Sequence, residues 1–154
     1  FFEHKQLYQV KEDIPDGEYT IPIGVADIKR EGTDVTIIAM GLMVRKALEA
    51  AEKLAAEGIN AEVLDPRTIA PLDKDAIRKS VEKTHRAIVV EEGNKTGGIG
   101  AEIAAMMQEE MYDELDGPVL RVAALDVPLP YDVALELVCI PNADKIVEAV
   151  KALF

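Results

Sequence analysis

Apolar residues along this chain alternate between short unbroken runs and longer stretches that repeat at three and four residues. Val35-Thr36-Ile37-Ile38-Ala39 is a β-branched run of the kind a strand buried on both faces requires. Gly41 then lets the chain turn, and Val44, Ala47, Leu48, Ala51, Leu54 and Ala55 recur at helical spacing until Gly58 supplies a stop. Ala61 to Leu64 forms a second strand. Asp65-Pro66-Arg67-Thr68-Ile69-Ala70-Pro71 is a loop, because its two prolines forbid a regular helix. Asp73 is a good N-cap for a helix that turns Ile77 and Val81 inward. A third strand, Ala87 to Val90, runs into Glu91, Glu92 and a glycine-rich turn, and Ile99, Ile103, Met106, Met107 and Met111 mark the helix beyond it. Gly117-Pro118 breaks the chain before a fourth strand, Val119 to Ala123. Pro128-Leu129-Pro130-Tyr131 reads as irregular. A last helix opens near Asn142 and carries Ile146, Val150, Leu153 and Phe154. The order βαβαβαβ with a closing helix predicts a three-layer α/β/α domain around a mostly parallel sheet.

The lead into this pattern differs. Phe1-Phe2-Glu3 reads as the end of a strand and His4 to Asp13 as a polar linker, so residues 1–13 are expected to close a preceding domain and residues 14–154 to form the α/β domain. A start on two phenylalanines suggests a piece of a longer chain. After the Pro15-Asp16-Gly17 turn, Tyr19 to Ile23 is a short extended segment whose Pro22 keeps it out of a sheet centre.

Composition narrows the partners more than the fold. With 17 basic and 29 acidic residues the net charge is −12, which repels phosphate backbones and suits a basic protein partner or plain solubility. No apolar run reaches the roughly 18 residues of a membrane span, and Glu3, His4 and Lys5 interrupt any signal peptide. A soluble intracellular protein is expected, cytoplasmic or mitochondrial, with the cytoplasm favoured. The single Cys139 rules out an internal disulfide and a cysteine metal cluster, and its neighbours Leu137, Val138 and Ile140 predict a buried thiol.

Candidate chemistry lies where an open parallel sheet places ligands, at the carboxyl ends of its strands. Arg67, Glu91, Glu92, Asn94 and Lys95 could converge there, and Thr96-Gly97-Gly98 leads into a helix N-terminus suited to a small anion or acyl group. The competing reading is an ion pair bracing two loops, with glycines that only permit the turn. The turn is neither a Walker loop nor a dinucleotide fingerprint. His4 and His85 read as surface histidines, no nucleophile elbow or metal-ligand spacing is visible, and no metal site is expected. Met106, Met107 and Met111 fit either core filling or a subunit interface.

Several ordered segments resemble one protein class: Phe1-Phe2-Glu3-His4-Lys5, Tyr19 to Gly24, Gly32 to Ile37, Asp65 to Asp73, and Thr96-Gly97-Gly98-Ile99-Gly100-Ala101-Glu102-Ile103. The chain is similar, over nearly its whole length, to the carboxyl-terminal, transketolase-like domain of the beta subunit of thiamine-diphosphate-dependent 2-oxo acid dehydrogenases. Pyruvate, branched-chain and acetoin versions share these motifs. The resemblance implies an enzyme that oxidatively decarboxylates its substrate and acylates lipoyl groups, with thiamine diphosphate and magnesium held by the preceding domain and the alpha subunit. It carries no catalytic or cofactor-binding residue onto this chain, which would be catalytically silent in isolation. It implies assembly roles: contact with a second beta subunit and with alpha subunits in an alpha-two beta-two tetramer. It also implies docking of the basic subunit-binding domain of the dihydrolipoyl acyltransferase, for which Asp144, Glu148 and the carboxylate of Phe154 are candidates. Asp126 to Tyr131 fits the family pattern, and Asp132-Val133-Ala134-Leu135 follows it loosely. Two other expectations stand beside this one, a free-standing anion-binding module using Arg67, Glu92 and Lys95, and a flavodoxin-like binding protein.

Overall fold

Five strands and five α-helices alternate in the computed structural model, which describes residues 1–154. They are β1 (Asp27–Arg30), β2 (Val35–Ala39), α1 (Leu42–Ala56), β3 (Ala61–Asp65), α2 (Lys74–Thr84), β4 (Ala87–Asn94), α3 (Ile99–Glu110), β5 (Leu120–Ala124), α4 (Val133–Cys139) and α5 (Ala143–Lys151). The sheet order is β1-β3-β2-β4-β5, with β2 to β5 parallel and β1 antiparallel at one edge.

All five residues of β2 are buried, because helices cover both faces of the sheet. Val35, Ile37 and Ala39 pack with Ala47, Ala51 and Leu54 of α1 and with Ile146 and Val150 of α5. Ile38, on the opposite face, packs with Leu64, Val89, Ile77, Val81 and Ile103 under α2 and α3. This is the expected three-layer arrangement. Helices α1 and α5 are further tied at their rims by Lys53–Asp144 at 2.6 Å and Lys151–Glu57 at 2.5 Å. No helix is long and apolar enough to cross a membrane.

Four features depart from the sequence reading. Tyr19 to Ile23 makes no strand, and the edge strand is instead Asp27–Arg30, where three charged residues in four left no apolar signal. Its register breaks between Ile28 and Arg30, and its charges suit a solvent-facing edge. Phe1 to Glu3 likewise form no strand within this chain, and both phenylalanines are fully exposed. Residues 133–139 form the unforeseen α4, started by Asp132, whose carboxylate accepts from the Ala134 and Leu135 amides at 3.0 and 3.1 Å. The last helix ends at Lys151, so Phe154 lies beyond it.

The methionine face is corrected as well. Met106, Met107 and Met111 are buried in the second core beside Ile38, Leu64 and Ile77, so they fill the domain's own interior and present no interface. Their flexible thioethers suit the irregular space under the α3 C-terminus.

Candidate functional site

The glycine turn between β4 and α3 closes on itself. Glu91 leaves β4 nearly buried, and its Oε1 accepts a hydrogen bond from the Gly100 amide at 3.1 Å, at the start of α3. A Cβ on Gly98 would stand 2.5 Å from both Glu91 carboxylate oxygens, and one on Gly100 would stand 2.6 Å from Oε1. These two glycines therefore make room for a carboxylate. Gly97 has a different task, since its φ of +76° turns the chain into the helix. An α-helix N-terminus attracts anions through free amides and its dipole. Here the chain's own Glu91 fills that place, which corrects the reading of Thr96-Gly97-Gly98 as an open anion site.

The rest of the turn is bound to the strand beside it. The Thr96 amide and hydroxyl donate to Asp126 at 2.9 and 2.7 Å, and the Lys95 amide donates to the Ala124 carbonyl at 3.1 Å. Donation by the Thr96 backbone and then by its hydroxyl holds the Asp126 carboxyl below the ordinary aspartate range. Asn94 Nδ2 donates to the Leu125 carbonyl at 3.0 Å.

The other predicted members do not converge. Arg67, which adopts a left-handed φ of +57°, sends its guanidinium to Asp27 at 2.7 Å, toward the β1 edge and two strands away from Glu92. Asp27 also holds Lys29 at 2.6 Å, and Lys29 chiefly, with Arg67, keeps its carboxyl below the usual value. Asp65 receives the Arg67 amide at 2.9 Å, yet burial pushes its carboxyl upward. Glu92 pairs with His4 Nε2 at 2.8 Å, so the N-terminal segment reaches the carboxyl end of β4. The Lys95 ammonium makes no ion pair. Arg67, Glu92 and Lys95 thus serve three separate places, and the bracing reading prevails over the joint site.

His85 caps α2 in a left-handed conformation and contacts the Glu114 carbonyl through Nδ1 at 2.9 Å, at the amino end of β4. Cys139 is buried as expected, beside the buried Ile140, whereas Leu137 and Val138 are exposed.

A buried polar cluster escaped the sequence reading. Thr36 and Glu62 are register partners on β2 and β3, and both are completely buried. Ser80 and Thr84, one turn apart on α2, reach Thr36 Oγ1 at 2.6 and 2.7 Å, while Ser80 and Lys83 both donate to the Glu62 carboxylate. Lys83 also pairs with Glu31 at 2.9 Å. Burial opposes the Lys83 charge, but its bonds to Glu62 and Glu31 outweigh that and hold the ammonium above the usual lysine range. The available signal was a glutamate inside a strand pattern and two hydroxyls at i, i+4 on the facing helix. The cluster lies at the amino ends of the strands, away from the ligand end, and it braces α2 against the sheet.

On α5, Asp144 and Glu148 are both exposed and one turn apart. Asp144 is already paired with Lys53, and Arg86 stands 4.6 Å over the Phe154 ring while its Nε donates to the Leu153 carbonyl at 3.2 Å. Neither Glu148 nor the Phe154 carboxylate takes part in an ion pair.

Comparisons with known proteins place this geometry. The family model described as "Transketolase, C-terminal domain" matches residues 24–146. The chain is 50% identical over 147 residues to the acetoin:2,6-dichlorophenolindophenol oxidoreductase subunit beta of Bacillus subtilis, covering 96% of the chain and 43% of that protein. It is 48% identical over 152 residues to the pyruvate dehydrogenase E1 component subunit beta of the same species, covering 98% and 46%. To the 2-oxoisovalerate dehydrogenase subunit beta of that species it is 44% identical over 155 residues, covering 99% and 47%. Among solved structures, a split gene transketolase described as an inactive beta4 tetramer superimposes with a TM-score of 0.78 at 34% identity, over 88% of this chain and 44% of that one. The chain spans less than half the length of each of these proteins.

Proposed function

Since this chain belongs to the transketolase C-terminal domain family, we propose that it is the carboxyl-terminal assembly domain of the beta subunit of a 2-oxo acid dehydrogenase of the pyruvate or acetoin type. At 48% and 50% identity, the pyruvate- and acetoin-type relatives support the two versions alike. In this reading residues 1–13 close the preceding domain and link it to residues 14–154. The whole enzyme oxidatively decarboxylates its substrate and passes the acyl group to a lipoyl carrier. Relatives of equal identity come from a bacterium and from mitochondria, and in this reading the enzyme belongs to the bacterial cytoplasm or the mitochondrial matrix.

The observation that carries an assembly role is the Glu91 carboxylate seated at the α3 N-terminus, where an anionic cofactor would otherwise be cradled. No group of three or more His, Cys, Asp or Glu side chains is placed to hold a metal ion. The residues of this chain therefore do not fit thiamine diphosphate and magnesium, and in this reading other parts of the enzyme hold them. The chain contributes surfaces instead. A related domain described as a tetramer of beta chains supports contact with a second beta subunit, and the name "subunit beta" in the relatives supports an alpha partner.

Docking of the acyltransferase's basic subunit-binding domain falls to the α5 surface around Glu148, flanked by Asp144 and Phe154. Charge-driven docking weakens with ionic strength, so its affinity should fall steeply from low to high salt, and a flat response would remove that role. For the main reading, titration of the chain with thiamine diphosphate and magnesium should release no binding heat in a calorimeter. Micromolar binding would refute it.

A further inference from the structure

A short strap lies across the ligand end of the sheet. Lys5–Gln9 form a single 3-10 turn with no buried residue, and a turn of that length and geometry does not stand on its own hydrogen bonds. Two contacts hold it. Leu7 packs against the core that β2, α1 and α5 share. His4, which caps the turn, accepts the Gln6 amide at Nδ1 over 3.3 Å, so the neutral imidazole carries its proton on Nε2. Nε2 in turn faces Glu92 Oε2 at 2.8 Å, on β4.

From this latch the segment runs past the carboxyl ends of β2 and β3. Leu7, Val10 and Ile14 help to line a crevice of about 450 Å³ there, together with Val44, Arg45 and Asp65. Arg45 takes part in no ion pair. An open α/β sheet receives ligands at this end, and here the chain lays its own segment across it. The two carboxylates of β4 divide the work: Glu91 seals the start of α3, and Glu92 fastens the strap. The fastening is light. It consists of one half-buried leucine and one hydrogen bond between side chains that are 27% and 33% exposed, so the strap can open without unfolding the domain. We propose that His4 to Val10 are an occluding strap, fastened by His4 to Glu92, whose release opens the crevice beside Arg45. The strap is a property of the chain itself and does not depend on the enzyme to which the chain belongs.

Hydrogen exchange on the whole chain provides the test. The Leu7 and Val10 amides, which donate to the His4 and Leu7 carbonyls at 2.9 and 3.0 Å, report the strap, and the Gly100 amide, held by Glu91, reports the neighbouring turn. His4→Ala and Glu92→Ala should each speed exchange at Leu7 and Val10 roughly three- to tenfold and leave Gly100 unchanged. The double variant should match the larger single effect, because both substitutions remove one bond. Glu92→Gln keeps an acceptor for Nε2 and should stay within about twofold of wild type. Spin labels at the exposed positions Gln9→Cys and Glu52→Cys should give one narrow distance, which Glu92→Ala broadens toward longer values. Unchanged exchange in both single variants would overturn the proposal, as would additive effects in the double variant. So would faster exchange at an unchanged label distance, because the turn would then fray without leaving the crevice. A neutral His4 carrying its proton on Nδ1, seen by nitrogen NMR, would remove the latch as described.

Discussion

Gly100→Ala should destabilise this domain, and in a Glu91→Ala background the same substitution should stabilise it. Gly100 is the second residue of α3, where alanine normally gains about 1 kcal/mol over glycine from helix propensity. In the native turn, however, the new Cβ stands 2.6 Å from Glu91 Oε1, while its next neighbours lie at 3.3 and 3.4 Å, close but able to adjust. The carboxylate must withdraw from the Gly100 amide. That forfeits a charged helix cap, about 1 kcal/mol, and leaves a nearly buried carboxylate short of its donor, about 1–2 kcal/mol more. The net effect is a loss of about 1–2 kcal/mol after the propensity gain. With Glu91 shortened to alanine, the obstacle and the stranded charge are both gone, and Gly100→Ala should gain about 1 kcal/mol. The coupling between the two sites is then about 2–3 kcal/mol. Urea unfolding of the four proteins of the cycle, followed by circular dichroism, measures it. A stabilising Gly100→Ala in the native background, or no change of sign with Glu91→Ala, would refute the claim that these glycines exist to seat Glu91.

Three further outcomes follow from other contacts. Lys83→Ala leaves the fully buried Glu62 without its cation and should cost about 2–3 kcal/mol, at or just below the low end for a broken buried pair because water reaches Lys83, whereas Lys83→Met with Glu62→Leu should stay near wild type in urea titrations. Because the folded Lys83 value is raised, its contribution is complete below the ordinary lysine value of 10.5 and is lost as pH rises through the higher folded value, which alkaline thermal melts will show or contradict. Thr96→Val removes one donor to Asp126, so the Asp126 carboxyl should titrate closer to its ordinary 3.8 by NMR; the stability it adds is present above that value and lost as pH falls through the lowered one. Gly32→Ala would drive a Cβ into the Ala61 and Glu62 backbone and should cost about 2–3 kcal/mol or block folding, and an unchanged melting temperature would show that β1 and β3 can separate freely.

The elements legible in the sequence were those whose stability is apolar. β2 is written as an unbroken buried run and α1 as buried residues recurring at three and four, so their boundaries fall within a residue or two of expectation. β1 was illegible because its pairing is made by backbone groups and by Arg30 donating to the Ala61 carbonyl, neither of which needs an apolar side chain. α4 was illegible for the opposite reason. Its residues are apolar nearly all round, which reads as neither amphipathic helix nor alternating strand, and its start depends on the Asp132 cap. At the candidate site, composition identified the turn correctly but not its occupant. Glu91 and Glu92 are adjacent and chemically alike, yet the strand pleat sends them to opposite faces, one into the α3 N-terminus and the other to His4. That distinction is tertiary. So is the pairing of Arg67 with Asp27, since the strand carrying Asp27 was itself missed.

The same turn explains why an acidic chain built on a ligand-binding topology would work through its surfaces. Four of its five α-helices begin on an oxygen supplied by the chain: Asp73 for α2, Glu91 for α3, Asp132 for α4 and Asn142 for α5. Each takes an amide that could otherwise have met a phosphate or carboxylate ligand. At the carboxyl ends of the strands Arg67 is likewise consumed by Asp27. Attraction for small anions is thereby spent internally, and the net charge of −12 repels what remains in solution.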